Sequence, residues 1–189
     1  MKVTIYEGCM FAGKTRSLIH KARRKNSKIF VKHCIDVRNV GFNELVVSHD
    51  GDKIESIRLE KLSDLKIPEN IKYVFIDEGQ FFDDLESFII TNLQQKIKLY
   101  ISGLNYDYMG HKFIQTSKAC EYAKKIVKLK ATCSCGKLAK YTMMVNSDNI
   151  SQEVNKDGNP IIIGGSELFR PACTDCFVIP QKPSQNSQL

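Results

Sequence analysis

Gly8-Cys9-Met10-Phe11-Ala12-Gly13-Lys14-Thr15 stands between a short β-rich run, Val3 to Tyr6, and an amphipathic stretch, Lys14 to Lys25. The octapeptide has the spacing G-x-x-x-x-G-K-[ST], in the strand–turn–helix context that a phosphate-binding P-loop requires. Each residue type has a physical reason. Gly8 and Gly13 let the backbone close around phosphate oxygens, so that amide N–H groups along Cys9, Met10, Phe11 and Ala12 and the helix N-terminus face the anion. Lys14 supplies a point charge to the β and γ phosphates, and the Thr15 hydroxyl can ligate Mg²⁺. The tight basic cluster Lys21-Ala22-Arg23-Arg24-Lys25 falls where the helix would end, and cations there compensate the helix dipole without any ligand.

Working outward from the loop, strand and helix signals alternate. Ile29-Phe30-Val31 is a buried-strand candidate, and residues 42–58 suit two short strands or a loose hairpin. Tyr73-Val74-Phe75-Ile76 is the clearest apolar strand, Phe81 to Leu93 has helical spacing, and Leu99-Tyr100-Ile101 is another strand. This alternation predicts an α/β fold: a mainly parallel sheet flanked by helices. From Ala131 onward, short strand signals are punctuated by cysteine pairs, Gly158 and Gly164-Gly165. The expected organisation is a P-loop α/β unit over residues 1–130, a small β module over 131–176, and a disordered polar tail over 177–189.

Asp77-Glu78 closes the Tyr73–Ile76 run. In P-loop proteins a carboxylate at the end of a neighbouring strand holds Mg²⁺. Side chains alternate along a strand, so the two acids are expected to face different ways, one the metal and one the nucleophile. The pair alone does not separate a kinase from an ATPase, because a glutamate there can deprotonate a substrate hydroxyl or water.

The chain has 189 residues, a formal net charge of +7 and seven cysteines. That length suits one α/β core with a small appended module. No apolar run approaches the roughly 18 residues of a membrane span. Met1 to Tyr6 reads as a strand rather than a signal peptide, which makes the cytosol the expected compartment. There, structural disulfides are disfavoured. Cys133-Ser134-Cys135 and Cys173-Thr174-Asp175-Cys176 instead suit a zinc site of four thiolates, although the first pair has a one-residue spacer. The positive charge suits an anionic partner, nucleotide or nucleic acid, but the lysines are spread along the chain as a solvated basic surface is.

Gly8-x-Met10-Phe11-x-Gly13-Lys14-Thr15, Asp36-Val37-Arg38, Ser48-His49 and Ile76-Asp77-Glu78-Gly79-Gln80-Phe81-Phe82 resemble successive motifs of the type II thymidine kinases. So do Gly103-Leu104-Asn105, Val127-Lys128-Leu129, Tyr141-Thr142 and Gly164-Gly165, in the same order from residue 3 to Cys176. The resemblance implies transfer of the γ-phosphoryl of ATP to the 5′-hydroxyl of thymidine and also deoxyuridine, by a homotetramer that needs Mg²⁺ and carries Zn²⁺. It implies Glu78 as general base, with Thr15, Asp36 and Asp77 around Mg²⁺. The P-loop residues, Asp36, Val37, Arg38, Asp77, Gly79 and Gln80 would then serve ATP. Met10, Phe81, Leu104, Tyr108, Phe113 and Thr142 would line the nucleoside pocket, and a lasso loop, Pro160, Ile161, Ile162, Ile163 and Gly164 with Phe169, would close over it. Cys133, Cys135, Cys173 and Cys176 would hold the zinc.

The chain departs from the family pattern at Cys9 for proline, Asn105 for aspartate, Phe169 for tyrosine, and Met143-Met144 where a basic residue is common; the one-residue spacer of Cys133-Ser134-Cys135 is the largest departure and bears on the anchorage of the lasso. The competing class is a P-loop ATPase whose zinc module binds nucleic acid. Such a protein should carry basic, aromatic stacking surfaces, whereas Tyr106 and Tyr108 have modest basic company in the sequence. Nucleic acid and membrane are therefore not expected partners.

Overall fold

The computed structural model describes residues 2–36, 45–48, 50–145, 153–154 and 160–179. In chain order its elements are β1 (Lys2–Glu7), α1 (Lys14–Arg23), β2 (Lys28–His33), β3 (Leu45–Val47), β4 (Lys53–Glu55), β5 (Ile57–Leu59) and β6 (Tyr73–Asp77). There follow α2 (Leu85–Thr91), β7 (Lys98–Gly103), α3 (Ile114–Glu121), β8 (Lys125–Lys128), β9 (Tyr141–Met144), β10 (Glu153–Val154), β11 (Pro160–Ile161) and β12 (Phe169–Ala172). Six strands form one sheet in the order β5-β2-β6-β7-β1-β8, and every neighbouring pair is parallel. This is the expected α/β class.

The sheet is parallel because its strands are apolar on both faces and helices cover both. Val3, Ile5, Val74, Ile76, Leu99 and Ile101 face Phe82, Leu85, Phe88, Ile89 and Ala119, on or just before α2 and α3. On the other face Phe30 and Phe75 pack beneath Leu18, Ile19 and Ala22 of α1. There Phe30, Phe75 and Tyr100 stack in a row, with ring centroids 5.9 and 4.9 Å apart.

Several local readings change. Residues 42–58 hold the antiparallel β3–β4 hairpin and also β5, which pairs with β2 as a sheet edge. The helix expected from Phe81 to Leu93 is a single 3₁₀ turn, Gly79–Phe81, followed by α2. Asp84, just before α2, does not cap it with its side chain; the carboxylate instead accepts the N–H groups of Leu62 and Ser63 at 3.1 and 2.8 Å. α3 and β8 have no counterpart among the expected elements.

After β8 the chain builds two antiparallel pairs, β9–β12 and β10–β11. The proposed tail boundary at residue 177 falls near the end of the described residues, and 180–189 lie outside them. Among the described residues no helix is long and apolar enough to cross a membrane.

β7 lies between β1 and β6. The P-loop after β1, the acids after β6 and Ser102 on β7 therefore meet at one carboxyl edge of the sheet, where open α/β sheets place their ligand crevices.

Candidate active site

The P-loop is shaped by two left-handed residues, Phe11 at φ 64° and Gly13 at φ 77°. A Cβ at Gly8 would collide with the Leu129 carbonyl oxygen, so only glycine fits. Lys14 is buried and its Nζ donates to the Cys9 carbonyl at 2.8 Å. Met10, Phe11, Gly13, Lys14 and Thr15 wall a cavity of ≈ 650 Å³ with Asp36, Asp77 and Glu78. Gly8, Cys9 and Ala12 are not on that wall: Cys9 and Ala12 are buried in an apolar cluster with Ala131, Cys133, Ala139 and Cys173. The Met10 N–H donates to Thr142 Oγ1 at 3.0 Å, so that amide is directed within the protein.

Asp77 and Glu78 are 2% and 7% exposed, and both line this one cavity. That corrects the expectation from strand alternation. Asp77 is the last residue of β6, whereas Glu78 leaves the strand at φ 51°, ψ 47°. A non-glycine residue there carries strain on the order of 1–2 kcal/mol, characteristic of functional turns. Asp77 Oδ1 accepts from Thr15 Oγ1 at 3.2 Å and from the Ser102 hydroxyl, whose Oγ in turn accepts the Glu78 N–H at 3.3 Å. Gln80 Nε2 donates to Glu78 Oε2 at 2.7 Å. Thr15, Asp36 and Asp77 offer hard oxygen donors to a single cavity, a set that fits Mg²⁺.

Asp36 sits on a turn in which its N–H donates to the His33 carbonyl at 3.2 Å and His33 Nδ1 accepts the Ile35 N–H at 3.1 Å. The His33 ring packs edge-on to Phe82, with centroids 4.7 Å apart. Burial pushes its pKa down, outweighing the acids Glu60, Asp83 and Asp84 around it. Val37 and Arg38 lie outside the described residues.

A second cavity of ≈ 130 Å³ adjoins the first at Met10. Its walls include Phe81, Leu104, Tyr108, Phe113, Thr142, Ile162 and Phe169, which brings together most of the residues expected around a nucleoside. Ile163 and Gly164 instead line the larger cavity. Pro160 and Ile161 form β11, of which only the backbone pairing to β10 is described.

Gln80 lines the smaller cavity and not the larger, unlike its expected place with ATP. Gly79 lines neither cavity; a Cβ there would press on Ile101. Sequence reasoning missed Ser102, Asp107 and His111 near these walls. The carboxylate of Asp107 accepts the Met109 and His111 N–H groups at 2.9 and 2.8 Å. The Asn105-Tyr106-Asp107 string was the available turn signal.

The four expected cysteines converge, with their Sγ atoms all within 4.8 Å of one another and Cys135 to Cys173 at 3.6 Å. Tetrahedral Zn–S bonds put sulfurs about 3.8 Å apart, so the set fits zinc. The one-residue spacer is accommodated by a tight turn: Gly136, at φ 85°, donates to the Cys133 carbonyl at 2.8 Å, and Cys133 N–H to that of Lys137 at 2.9 Å. Backbone N–H groups of Cys135 and Cys173 bring Cys133 down to about 6, while hydrogen bonds with the other three thiols push Cys176 up to about 12. Deprotonated, the four sulfurs would crowd like charges that a bound divalent cation would offset.

The family model described as "Thymidine kinase" matches residues 1–177. A curated relative, "Thymidine kinase" of Choristoneura biennis entomopoxvirus, is 33% identical over 188 residues, covering 94% of this chain and 96% of the relative.

Proposed function

The chain belongs to the thymidine kinase family, and from that premise we propose that this kinase transfers the γ-phosphoryl of ATP to the 5′-hydroxyl of thymidine, and of deoxyuridine, with Glu78 accepting the hydroxyl proton. The observation that carries the assignment is the position of Glu78. It lines the phosphate-side cavity and is hydrogen-bonded to Gln80, a wall of the adjoining apolar cavity.

ATP phosphates would lie along the P-loop with Lys14 beside them, and the nucleoside among Phe81, Leu104, Tyr108, Phe113, Thr142 and Phe169. The 5′-hydroxyl then points toward Glu78. A positioned carboxylate of this kind contributes about 10² to 10⁴ in rate. Thr15, Asp36 and Asp77 would hold Mg²⁺, which when bound offsets charge on the β and γ phosphates. Val37 and Arg38 are assigned to the phosphates, and Pro160 to Gly164 to the lasso. The four cysteines would hold Zn²⁺ as a structural brace. A homotetramer working in the cytosol, with a P-loop unit to residue 130 and a zinc module after it, completes the proposal; light scattering on the purified protein tests its assembly.

Glu78→Gln keeps shape while removing the basic site, and should lower kcat within that 10² to 10⁴ range with ATP and thymidine affinities within a few-fold. Asp77→Asn should weaken nucleotide binding and Mg²⁺ dependence together. Near-normal turnover by Glu78→Gln, with Asp77→Asn dead though it still binds Mg·ATP, would reverse the two assignments. ATP hydrolysis stimulated by DNA, with no nucleoside phosphorylated, would replace the kinase by an ATPase whose zinc module binds nucleic acid.

A further inference from the structure

The Gln80 side chain is 5% exposed and touches two functional walls at once. Its Oε1 accepts the Leu104 N–H at 3.0 Å, while its Nε2 donates to Glu78 Oε2 at 2.7 Å. An amide has one end that only accepts and one that only donates. The Leu104 N–H can be answered only by the oxygen, so the NH₂ is forced toward Glu78. The orientation of this amide is thereby fixed by chemistry. Leu104 and Gln80 both line the smaller cavity, and Glu78 the larger. Gly103, just before Leu104, closes the arrangement: a Cβ there would strike Thr116 and crowd the Gln80 oxygen.

From this geometry we infer that Gln80 is a positioning residue: it aims the Glu78 carboxylate and ties that aim to the Leu104 wall of the nucleoside cavity. The inference rests on the reading of Glu78 as the base. A hydrogen bond donated to a carboxylate is charge-assisted and restricts its rotation. With Oε2 held by Gln80, the direction in which the carboxylate meets the substrate hydroxyl is set from the scaffold. A nucleoside pressing on Leu104 shifts the N–H that orients the amide, so occupancy of the smaller cavity is felt at the base.

The test uses Gln80→Glu, Gln80→Met and Glu78→Gln in the full-length enzyme, with kcat and both KM values measured for each. Gln80→Glu keeps an acceptor for Leu104 but presents an oxygen to Glu78. It should lower kcat at neutral pH by about tenfold to a hundredfold, the scale of one charge-assisted hydrogen bond. Its KM values should stay within a few-fold, so that the loss falls on kcat. Gln80→Met should also lower kcat. Combined with Glu78→Gln it should cost nothing more, since a residue that acts through Glu78 has no effect once the base is gone.

Wild-type kcat in Gln80→Glu would overturn the inference while leaving the base reading intact. So would a Gln80→Met loss that simply multiplies with that of Glu78→Gln. Near-normal turnover by Glu78→Gln would instead sink the base reading itself. ATP affinity reports folding of each variant; if Gln80→Glu loses it, Gln80→Met and the double variant decide the matter.

Discussion

Thr142 Oγ1 accepts the Met10 N–H at 3.0 Å, joining groups 132 positions apart in the chain. The bond stitches the P-loop to β9, and both residues are buried. Met10 walls both cavities and Thr142 the smaller one. One hydroxyl therefore anchors the loop assigned to the phosphates and borders the space assigned to the nucleoside.

Thr142→Val keeps the volume and removes that acceptor. A buried N–H left without a partner costs about 1–3 kcal/mol, and urea unfolding should read a loss of that size. ATP affinity should fall with it. Thr142→Ser keeps the acceptor and should retain both properties; a loss in Thr142→Ser that Thr142→Val does not show would assign the effect to the methyl group.

Protein purified without chelator should carry about one zinc per chain, the stoichiometry of a closed four-thiolate site. Cys173→Ser and Cys133→Ser should each lower the zinc content and the Tm, because losing one thiolate opens the site. Full zinc retention by Cys133→Ser would exclude that cysteine from the ligand set.

Ser102→Ala removes the hydroxyl that donates to Asp77 and accepts from Glu78. We expect kcat/KM to fall about tenfold to a hundredfold, as for loss of hydrogen bonds to a charged group. The Mg²⁺ concentration giving half-maximal activity should rise. A metal titration of the variant measures both, and an unchanged midpoint would detach Ser102 from the metal-side acid.

Burial depresses the pKa of His33. Between that depressed value and the ordinary one of about 6.5, the unfolded chain binds a proton that the folded chain refuses. Stability is then fully present above about 6.5 and is lost as pH falls. Protonation also removes the Nδ1 acceptor of the Ile35 N–H, which shapes the turn holding Asp36. His33→Gln should flatten the Tm-versus-pH curve below the ordinary histidine value of about 6.5; an unchanged slope would move the acid sensitivity elsewhere.

The P-loop, the strand ending at Asp77 and the cysteine cluster were legible in the sequence because each is a local pattern with a local physical reason. Glu78 shows where such reasoning stops: alternation turns it away from Asp77, and its left-handed φ turns it back. Ser102 and Gln80 needed strand order and an amide orientation, neither of which is written in spacing. α3 escaped because its buried positions are Thr116 and Ala119 while Ile114 is 57% exposed, so it carries no apolar stripe. β5 and β8 are short edge strands whose pairing depends on partners distant in the chain.

The burial of Cys9 and Ala12 among Ala131, Cys133, Ala139 and Cys173 means that the nucleotide loop and the cysteine segment share one apolar interior. Neither can open to solvent alone. Amide hydrogen exchange at Phe11 and Ala12 should therefore run in step with exchange along Tyr141–Met144, as one cooperative unit. ATP, bound at the loop, should slow exchange along β9 strand amides it never touches, and a chelator should quicken exchange in the loop.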